Sequence, residues 1–213
     1  MIHHTSFCFS PFQENTYLIW NDSGEAIVAD PGCYGREEEN ELKAFIENNN
    51  LNLLTVWLTH CHIDHVCGLD FVTRTWKIPF LLSQGEVAQL RAVEWYAPSY
   101  GFNGFRMPEG EPLVWDGGEL SLGPEKFRVL QVPGHSPDHL AFYHSESGSL
   151  WAGDVLFRES VGRTDLPGGD FATLSHSVTS KIYTLPDDTV VYPGHGPETT
   201  IGHEKRFNPF IRT

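Results

Sequence analysis

Apolar and polar positions along the first half of the chain predict alternating strands and helices. A period of two, rich in β-branched and aromatic side chains, is typical of strands, whereas apolar residues three and four apart indicate the buried face of a helix. Leu42, Phe45 and Ile46 have the helical spacing. The expected strands are 2–9, 16–20, 26–29, 53–58 and 80–82, and the expected helices are 37–48, 66–76 and 85–95.

The second half changes to short strands after an aromatic stretch from Trp95 to Met107. This stretch fits a lid over an apolar substrate, a subunit contact or core packing. Two mixed halves favour an α+β fold, a four-layered αββα sandwich in which two sheets pack face to face with helices outside. No linker or repeat interrupts the sequence, so residues 1–213 are expected to form a single domain. The remaining strands are predicted at 119–122, 127–132, 139–144, 149–151 and 189–192, and one helix at 171–183.

Composition and charge exclude several classes of partner. The 28 acidic and 14 basic side chains leave a net charge of −14, which would repel nucleic acid and anionic membranes, so neither is an expected partner. The sequence has neither an export signal nor an apolar run long enough to span a bilayer, so the expected location is the cytoplasm. The 4 cysteines form no CxxC pair and are expected to be free thiols. No feature of the pattern indicates an oligomeric state.

Four apolar strands each end in a turn that presents histidine or aspartate. The segments are LTVWLTHCHIDH, RVLQVPGH, SLWAGD and TVVYPGH. Because a rigid sheet presents side chains on the loops at its strand ends, four such ends can converge on one edge. Gly134, Gly153 and Gly194 allow a tight turn just before the polar residue. The polar residues are His60, His62, Asp64, His65, His135, Asp154 and His195.

The HxHxDH cluster has the donors and the spacing of a metal site. His60 and His62 are two residues apart, so extended backbone places both side chains on one face, where they can bind one ion. Asp64 and His65 follow as the chain enters the next helix and can serve a second ion. Packing so many ionisable groups without a metal would be costly. Imidazole and carboxylate ligands suit zinc, iron and manganese.

These motifs resemble the metallo-β-lactamase superfamily, in its short, single-domain glyoxalase II-like branch. The resemblance rests on THCHIDH, on PGH at His135, on GD at Asp154 and on PGH at His195. It extends to DPG at Asp30, to FRESVGRTDLPGGD and to PGHGPETTIGHEKRFNP. The αββα sandwich is the fold of that family. The resemblance implies two divalent metal ions per chain. Zinc is the preferred metal, and iron and manganese are the alternatives.

The resemblance also implies a role for each ligand. A hydroxide shared by both ions would attack the carbonyl of a small-molecule thioester, S-D-lactoylglutathione or a related acyl thioester. Asp64 is the candidate for a second, catalytic role as the orienter or base of that water. In the implied arrangement His60, His62 and His135 bind the first metal, Asp64, His65 and His195 bind the second, and Asp154 bridges them.

The sequence departs from the family pattern at positions outside the ligands. Full-length glyoxalase II enzymes have a C-terminal helical domain that holds glutathione, and we expect the 213 residues not to include this domain. The Lys and Tyr that follow the bridging Asp in those enzymes correspond here to Arg163 and Asp165. Arg163 therefore either binds a substrate carboxylate or pairs with Asp165. Asp138 stands where a glycine is usual, and His139 is expected to support a ligand or to pack rather than to bind metal.

Two other functions fit parts of the pattern. GRTDL and the following helix also resemble persulfide dioxygenases of the same superfamily, in which His60, His135 and Asp154 would bind a single iron. The ending PGHGPETTIG is more similar to the hydrolase branch, so hydrolysis is the preferred interpretation. A non-enzymatic metal-binding module would need the ligands without an open coordination position.

Overall fold

The computed structural model describes residues 1–212, which divide into two compact units. The first unit comprises residues 1–116 and 121–125, and the second comprises residues 117–120 and the chain from Lys126 onwards. Each unit is built on a six-stranded sheet. This division does not test whether residues 1–213 form a single domain, which stays a prediction. No helix in the described part of the chain is long and apolar enough to cross a membrane.

The first unit combines an antiparallel edge with a parallel sheet. Its strands lie in sequence order, antiparallel from the first to the third and parallel from the third to the sixth. Parallel neighbours need crossover connections, and helices provide them. The strands are β1 (Ile2–Phe9), β2 (Glu14–Asn21), β3 (Glu25–Ala29), β4 (Asn52–Trp57), β5 (Phe80–Ser83) and β6 (Leu113–Trp115). The helices are α1 (Arg36–Asn48), α2 (Ile63–Val66), α3 (Leu69–Trp76) and α4 (Glu86–Tyr96), with a 3-10 turn at Ala97–Tyr100.

Strands β2 and β3 of the first sheet are buried on both faces. Leu18 of β2 and Val28 of β3 belong to a core cluster with Leu42 and Ile46 of α1. The intervening strand residues, such as Ile19, are also fully buried, and they point to the opposite face because side chains alternate along a strand. Burial on both faces explains why these strands read as nearly continuous apolar runs.

The second unit carries the other sheet and a small hairpin. Its sheet order is β14-β13-β10-β9-β8-β7, and β10 and β13 run parallel. Leu174, Val178 and Ile182 pack in one cluster with Leu150 and Val191 of the sheet. The strands are β7 (Glu119–Leu122), β8 (Glu125–Gln131), β9 (Leu140–His144), β10 (Ser149–Gly153), β11 (Leu156–Phe157), β12 (Ser160–Val161), β13 (Val190–Pro193) and β14 (Thr199–Thr200). The helices are α5 (Phe171–Ser177), continued by a π-helical turn at Val178–Ile182, and α6 (Ile201–Phe207).

Most predicted elements are confirmed to within about two residues, but the helix predicted at 66–76 is wrong in one respect. The structure has two segments there, α2 and α3, interrupted at Cys67 and Gly68. The Gly68 amide donates to the Pro31 carbonyl at 2.8 Å, and a Cβ on Gly68 would lie 2.3 Å from Cys33 Sγ. The close approach of two backbone segments therefore redirects the chain at this glycine.

Candidate metal centre

The first unit holds four of the predicted ligands between the end of β4 and the short helix α2. His62 is extended, with φ −70° and ψ 152°, and directly precedes α2. His60 Nε2 lies 3.0 Å from His62 Nδ1, so the two side chains lie on one face as their spacing predicts. We call His60, His62, Asp64 and His65 the first donor set; all of its members are buried except His62, which is half-buried.

Asp30 orients two histidines of the first donor set. Its Oδ2 accepts hydrogen bonds from His65 Nδ1 at 3.0 Å and from the Thr59 hydroxyl at 2.6 Å. Because that hydroxyl donates to Asp30, it accepts the proton of His60 Nδ1, 3.0 Å away. Protonation at Nδ1 leaves the Nε2 lone pairs of His60 and His65 available to a metal. Sequence reasoning included Asp30 in the DPG motif but assigned it no role.

A second buried carboxyl, Glu14, lies behind this network. Glu14 Oε1 is 4.0 Å from His65 Nδ1, and the Thr16 hydroxyl donates to Glu14 Oε2 at 2.8 Å. Burial raises the pKa of Glu14 well above its usual range. A Cβ on Gly32 would lie 1.9 Å from Glu14 Oε2, so the glycine of DPG makes room for this carboxyl. No sequence signal indicated Glu14.

Cys61, inside the HxHxDH cluster, is not a metal ligand or a nucleophile. Its side chain is fully buried in the apolar core of the first unit. Burial, together with the nearby carboxylates of Glu86 and Asp30, raises the pKa of its thiol well above the ordinary value. A thiol reacts and binds metals as the thiolate, which this environment disfavours. The prediction that all four cysteines are free thiols is confirmed.

The second unit holds the other three predicted ligands, at three loops that follow strands of its sheet. We call His135, Asp154 and His195 the second donor set. Asp154 Oδ2 lies 3.5 Å from Nε2 of His135 and 3.5 Å from Nε2 of His195. His135 and Asp154 are buried, and His195 is half-buried. One carboxylate oxygen therefore faces two imidazole nitrogens.

Backbone groups and a further histidine fix the second donor set. His135 Nδ1 donates to the Arg163 carbonyl at 2.8 Å, which leaves its Nε2 lone pair directed toward Asp154. His139 Nε2 accepts a hydrogen bond from the Asp154 amide at 3.1 Å, the supporting role expected for it. A Cβ on Gly162 would lie 1.8 Å from the Asp154 carbonyl oxygen and 2.8 Å from His135 Nδ1. Only glycine fits beside these two ligands.

The donor separations in both sets suit bound metal ions. Two ligand atoms about 2.1 Å from one ion lie about 3.4 Å apart at a tetrahedral angle and about 3.0 Å apart at a right angle. The observed 3.5 Å pairs around Asp154 and the 3.0 Å pair of His60 and His62 match these values. The 3.5 Å pairs are also longer than a good N–H···O hydrogen bond, which is about 2.7–3.2 Å. The residues present therefore fit a metal.

Arg163 pairs with Asp165, one of the two roles expected for it. Arg163 Nε and a terminal guanidinium nitrogen donate to the two Asp165 oxygens at 2.7 and 2.8 Å. Both side chains are exposed. The guanidinium lowers the pKa of Asp165 to about 2. Binding of a substrate carboxylate by Arg163 stays a prediction.

Replacing Arg163 by methionine is expected to raise the pKa of Asp165 from about 2 toward 3.8, because the charge that stabilises the carboxylate is removed. A carboxyl whose pKa is lowered on folding contributes stability above its unfolded pKa, and this contribution is lost as the pH falls toward 2. Carboxyl-carbon NMR titration measures the change. Arg158→Met, at another exposed arginine of the same unit, is the control, and an unchanged Asp165 titration in Arg163→Met would contradict the assignment.

The aromatic segment divides between core and surface. Phe102 is buried, with its ring 4.8 Å from that of Tyr34 and 5.3 Å from that of Phe12. Trp95 and Tyr100 are exposed, at 87% and 45%. Core packing thus accounts for part of the segment, and the lid and subunit-contact interpretations stay open for the exposed rings.

Comparison with known proteins identifies the family. Residues 9–195 match the model of the metallo-β-lactamase superfamily. The chain belongs to the metallo-β-lactamase superfamily. It is 37% identical over 209 residues to a probable metallo-hydrolase, YqgX, of Bacillus subtilis, with 94% of this chain and 93% of that protein covered. It is 39% identical over 215 residues to the hydroxyacylglutathione hydrolase GloC of Haemophilus influenzae, with 95% and 94% covered.

Solved structures of this superfamily confirm the predicted fold. TTHA1623, in a di-iron-bound form, is 36% identical, with a TM-score of 0.87 over 97% of this chain and 100% of that chain. The BLEG-1 B3 metallo-β-lactamase is 34% identical, with a TM-score of 0.85 over 99% of this chain and 100% of that chain. The chain therefore has the α+β metallo-β-lactamase fold and is a metal-dependent hydrolase of this superfamily, with histidine and acidic groups that bind divalent metal.

Proposed function

We propose that this hydrolase is a two-metal thioesterase of the glyoxalase II type that cleaves S-D-lactoylglutathione or a related acyl thioester. The similarity to a hydroxyacylglutathione hydrolase at 39% identity supports the substrate class. The observation that carries the proposal is the geometry of the donors. Their nitrogen and oxygen atoms are separated by distances typical of two ligands on one metal ion. Hydrogen bonds at Nδ1 of His60, His65 and His135 leave the Nε2 atoms of these residues available to metal.

The number of donors favours two ions. A catalytic zinc ion takes about three protein ligands and keeps a position open for water or substrate. Six donors supply three ligands to each of two such ions, and Asp154, which faces two imidazoles, suits an additional position shared by both. We propose that residues 1–213 form one domain, as the uninterrupted sequence predicts. As the resemblance to the family implies, His60, His62 and His135 would hold the first metal, Asp64, His65 and His195 would hold the second, and both would share Asp154.

When bound, two divalent ions supply Lewis acidity and lower the pKa of water toward neutrality. Zinc, iron and manganese all suit these imidazole and carboxylate donors, and a di-iron-bound protein of similar structure supports iron. The chain needs no nucleophile of its own, which agrees with the buried, protonated thiol of Cys61.

The protein's own groups orient the donors and move one proton. Asp30 and the Arg163 carbonyl hold three imidazoles in the tautomer that binds metal. Asp64, whose Oδ2 lies 3.9 Å from His65 Nε2, retains some exposure to solvent and is the group proposed to take a proton from the attacking water. The water oxygen bonds to the acyl carbon and the carbon–sulfur bond breaks, so the acyl group becomes a carboxylic acid, which is a hydroxy acid when the acyl group is lactoyl. The sulfur departs as a thiolate, a modest leaving group, and takes up the proton to become the free thiol.

A hydrolysis assay on metal-loaded protein tests this proposal. Release of free thiol from S-D-lactoylglutathione or from neutral acyl thioesters is expected, with loss of activity after chelation and recovery after metal is restored. Asp64→Asn is expected to lose activity while keeping its fold; hydroxide-dependent turnover retained in that variant would contradict the role of Asp64 as a base. Two bound metals without thioester turnover would contradict the substrate class.

A further inference from the structure

We infer that Glu86, at the start of helix α4, positions the two metal-binding histidines His60 and His62 through the Cys61 peptide between them. This inference rests on the proposed function, because it takes both histidines as ligands. The Cys61 amide donates to Glu86 Oε2 at 3.0 Å. The hydroxyl of Tyr96, the last residue of the same helix, approaches the Cys61 carbonyl oxygen at 3.5 Å. The first and last residues of α4 thus contact the backbone N–H and the backbone carbonyl of Cys61.

The Cys61 peptide lies where regular secondary structure provides no partner. β4 ends at Trp57 and α2 begins at Ile63, so residue 61 belongs to neither element. Cys61 is fully buried, and a buried backbone N–H requires a hydrogen-bond partner. The Cys61 side chain lies in the core, whereas the imidazoles of His60 and His62 on either side of it approach each other, with His60 Nε2 3.0 Å from His62 Nδ1. A displacement of this peptide would therefore move both imidazoles and change their 3.0 Å separation.

Packing alone does not account for a glutamate at this position. Glu86, Leu90 and Val93 are the buried residues of α4, and Ala97 continues the same helical stripe. An apolar side chain would suit such a stripe, whereas an ionised carboxylate is costly to bury unless it is hydrogen-bonded. The position in the first turn, where the helix dipole favours negative charge, reduces this cost. The bond from the Cys61 amide gives the buried Glu86 carboxylate a role that an apolar side chain at this position would lack.

Zinc binding, rather than turnover, tests the inference. Metal-free protein is titrated with Zn(II) in competition with a chromophoric chelator, and the Co(II)-substituted form is examined by visible absorption. Glu86→Leu removes the acceptor but keeps an apolar side chain on the stripe, and Glu86→Gln keeps an amide oxygen that can accept from Cys61. Glu94→Ala, at an exposed acid of the same helix, is the matched control.

Glu86→Leu is expected to bind zinc about 10- to 100-fold more weakly, the usual effect of removing a group that supports a ligand, and to change the Co(II) spectrum. Glu86→Gln and Glu94→Ala are expected to stay within about threefold of wild type, well short of that effect. A folded Glu86→Leu variant with the zinc affinity and the Co(II) spectrum of wild type would overturn the inference but not the proposed function. Should Glu86→Leu not fold, Glu86→Met, which is closer to glutamate in length and also removes the acceptor of the Cys61 amide, takes its place. A weakened zinc affinity in that variant supports the inference, and an unchanged one overturns it. Wild-type protein that binds no zinc, iron or manganese would overturn the proposed function as well.

Discussion

Replacing Asp154 by asparagine is expected to lower kcat/KM for thioester hydrolysis by at least about a thousandfold, a loss on the order of 4 kcal/mol of transition-state stabilisation. Asparagine keeps the volume of the side chain but removes the negative charge. In the structure one oxygen of Asp154 lies 3.5 Å from both His135 Nε2 and His195 Nε2, so a neutral amide there weakens the shared ligand position. The variant is also expected to hold only one tightly bound metal.

Steady-state assays and metal content on the same preparation check this expectation. Asp188→Ala, which removes an exposed acid from the same unit, should leave both quantities unchanged. Turnover within tenfold of wild type in an Asp154→Asn variant that retains two metals would show that Asp154 is not the shared ligand.

Gly162→Ala is expected to disturb the same three-residue set without removing any donor. The added methyl group would lie 1.8 Å from the Asp154 carbonyl oxygen and 2.8 Å from His135 Nδ1, so backbone or imidazole must move. Overpacking of this kind costs about 1–3 kcal/mol of folding stability. Because the displaced groups carry two proposed ligands, activity should fall more than stability alone explains.

Thermal unfolding with and without added metal, together with kcat/KM, separates these effects. Gly104→Ala is the control, since Gly104 is exposed and has no heavy atom within 4 Å of an added Cβ. A Gly162→Ala protein with the melting temperature and activity of wild type would mean that the backbone at Asp154 is not constrained as described.

Hydrophobic patterning predicted most of the fold because both sheets and their helices bury long apolar runs. It missed elements whose residues carry little of that signal. The edge strand β6 has exposed Leu113 and Val114, and β11, β12 and β14 have two residues each. The short helix α6 was also missed; it lies within the PGHGPETTIGHEKRFNP motif that contains His195. The helix predicted at 171–183 is continuous, but its geometry becomes π-helical after Ser177, which apolar spacing does not reveal.

The proposed ligands could be predicted because four strands end in recognisable donor motifs. Their supporting partners could not, since these come from distant segments brought together by the backbone path. Asp30 contacts His65 across 35 positions, and the partner of His135 is a backbone carbonyl, which no side-chain pattern marks. Glu86 could have been noticed in the sequence, because it is a charged residue at a position where helical spacing predicts an apolar one.

Metal stoichiometry distinguishes a two-metal hydrolytic centre from a single-iron site. Purified protein is dialysed against zinc, iron or manganese, its metal content is measured by plasma mass spectrometry, and oxygen uptake is recorded with a persulfide substrate. The predicted result is two metal ions per chain in the wild type, fewer in Asp154→Asn, and no oxygen consumption. A single iron per chain with persulfide-dependent oxygen consumption would contradict the account and identify a dioxygenase.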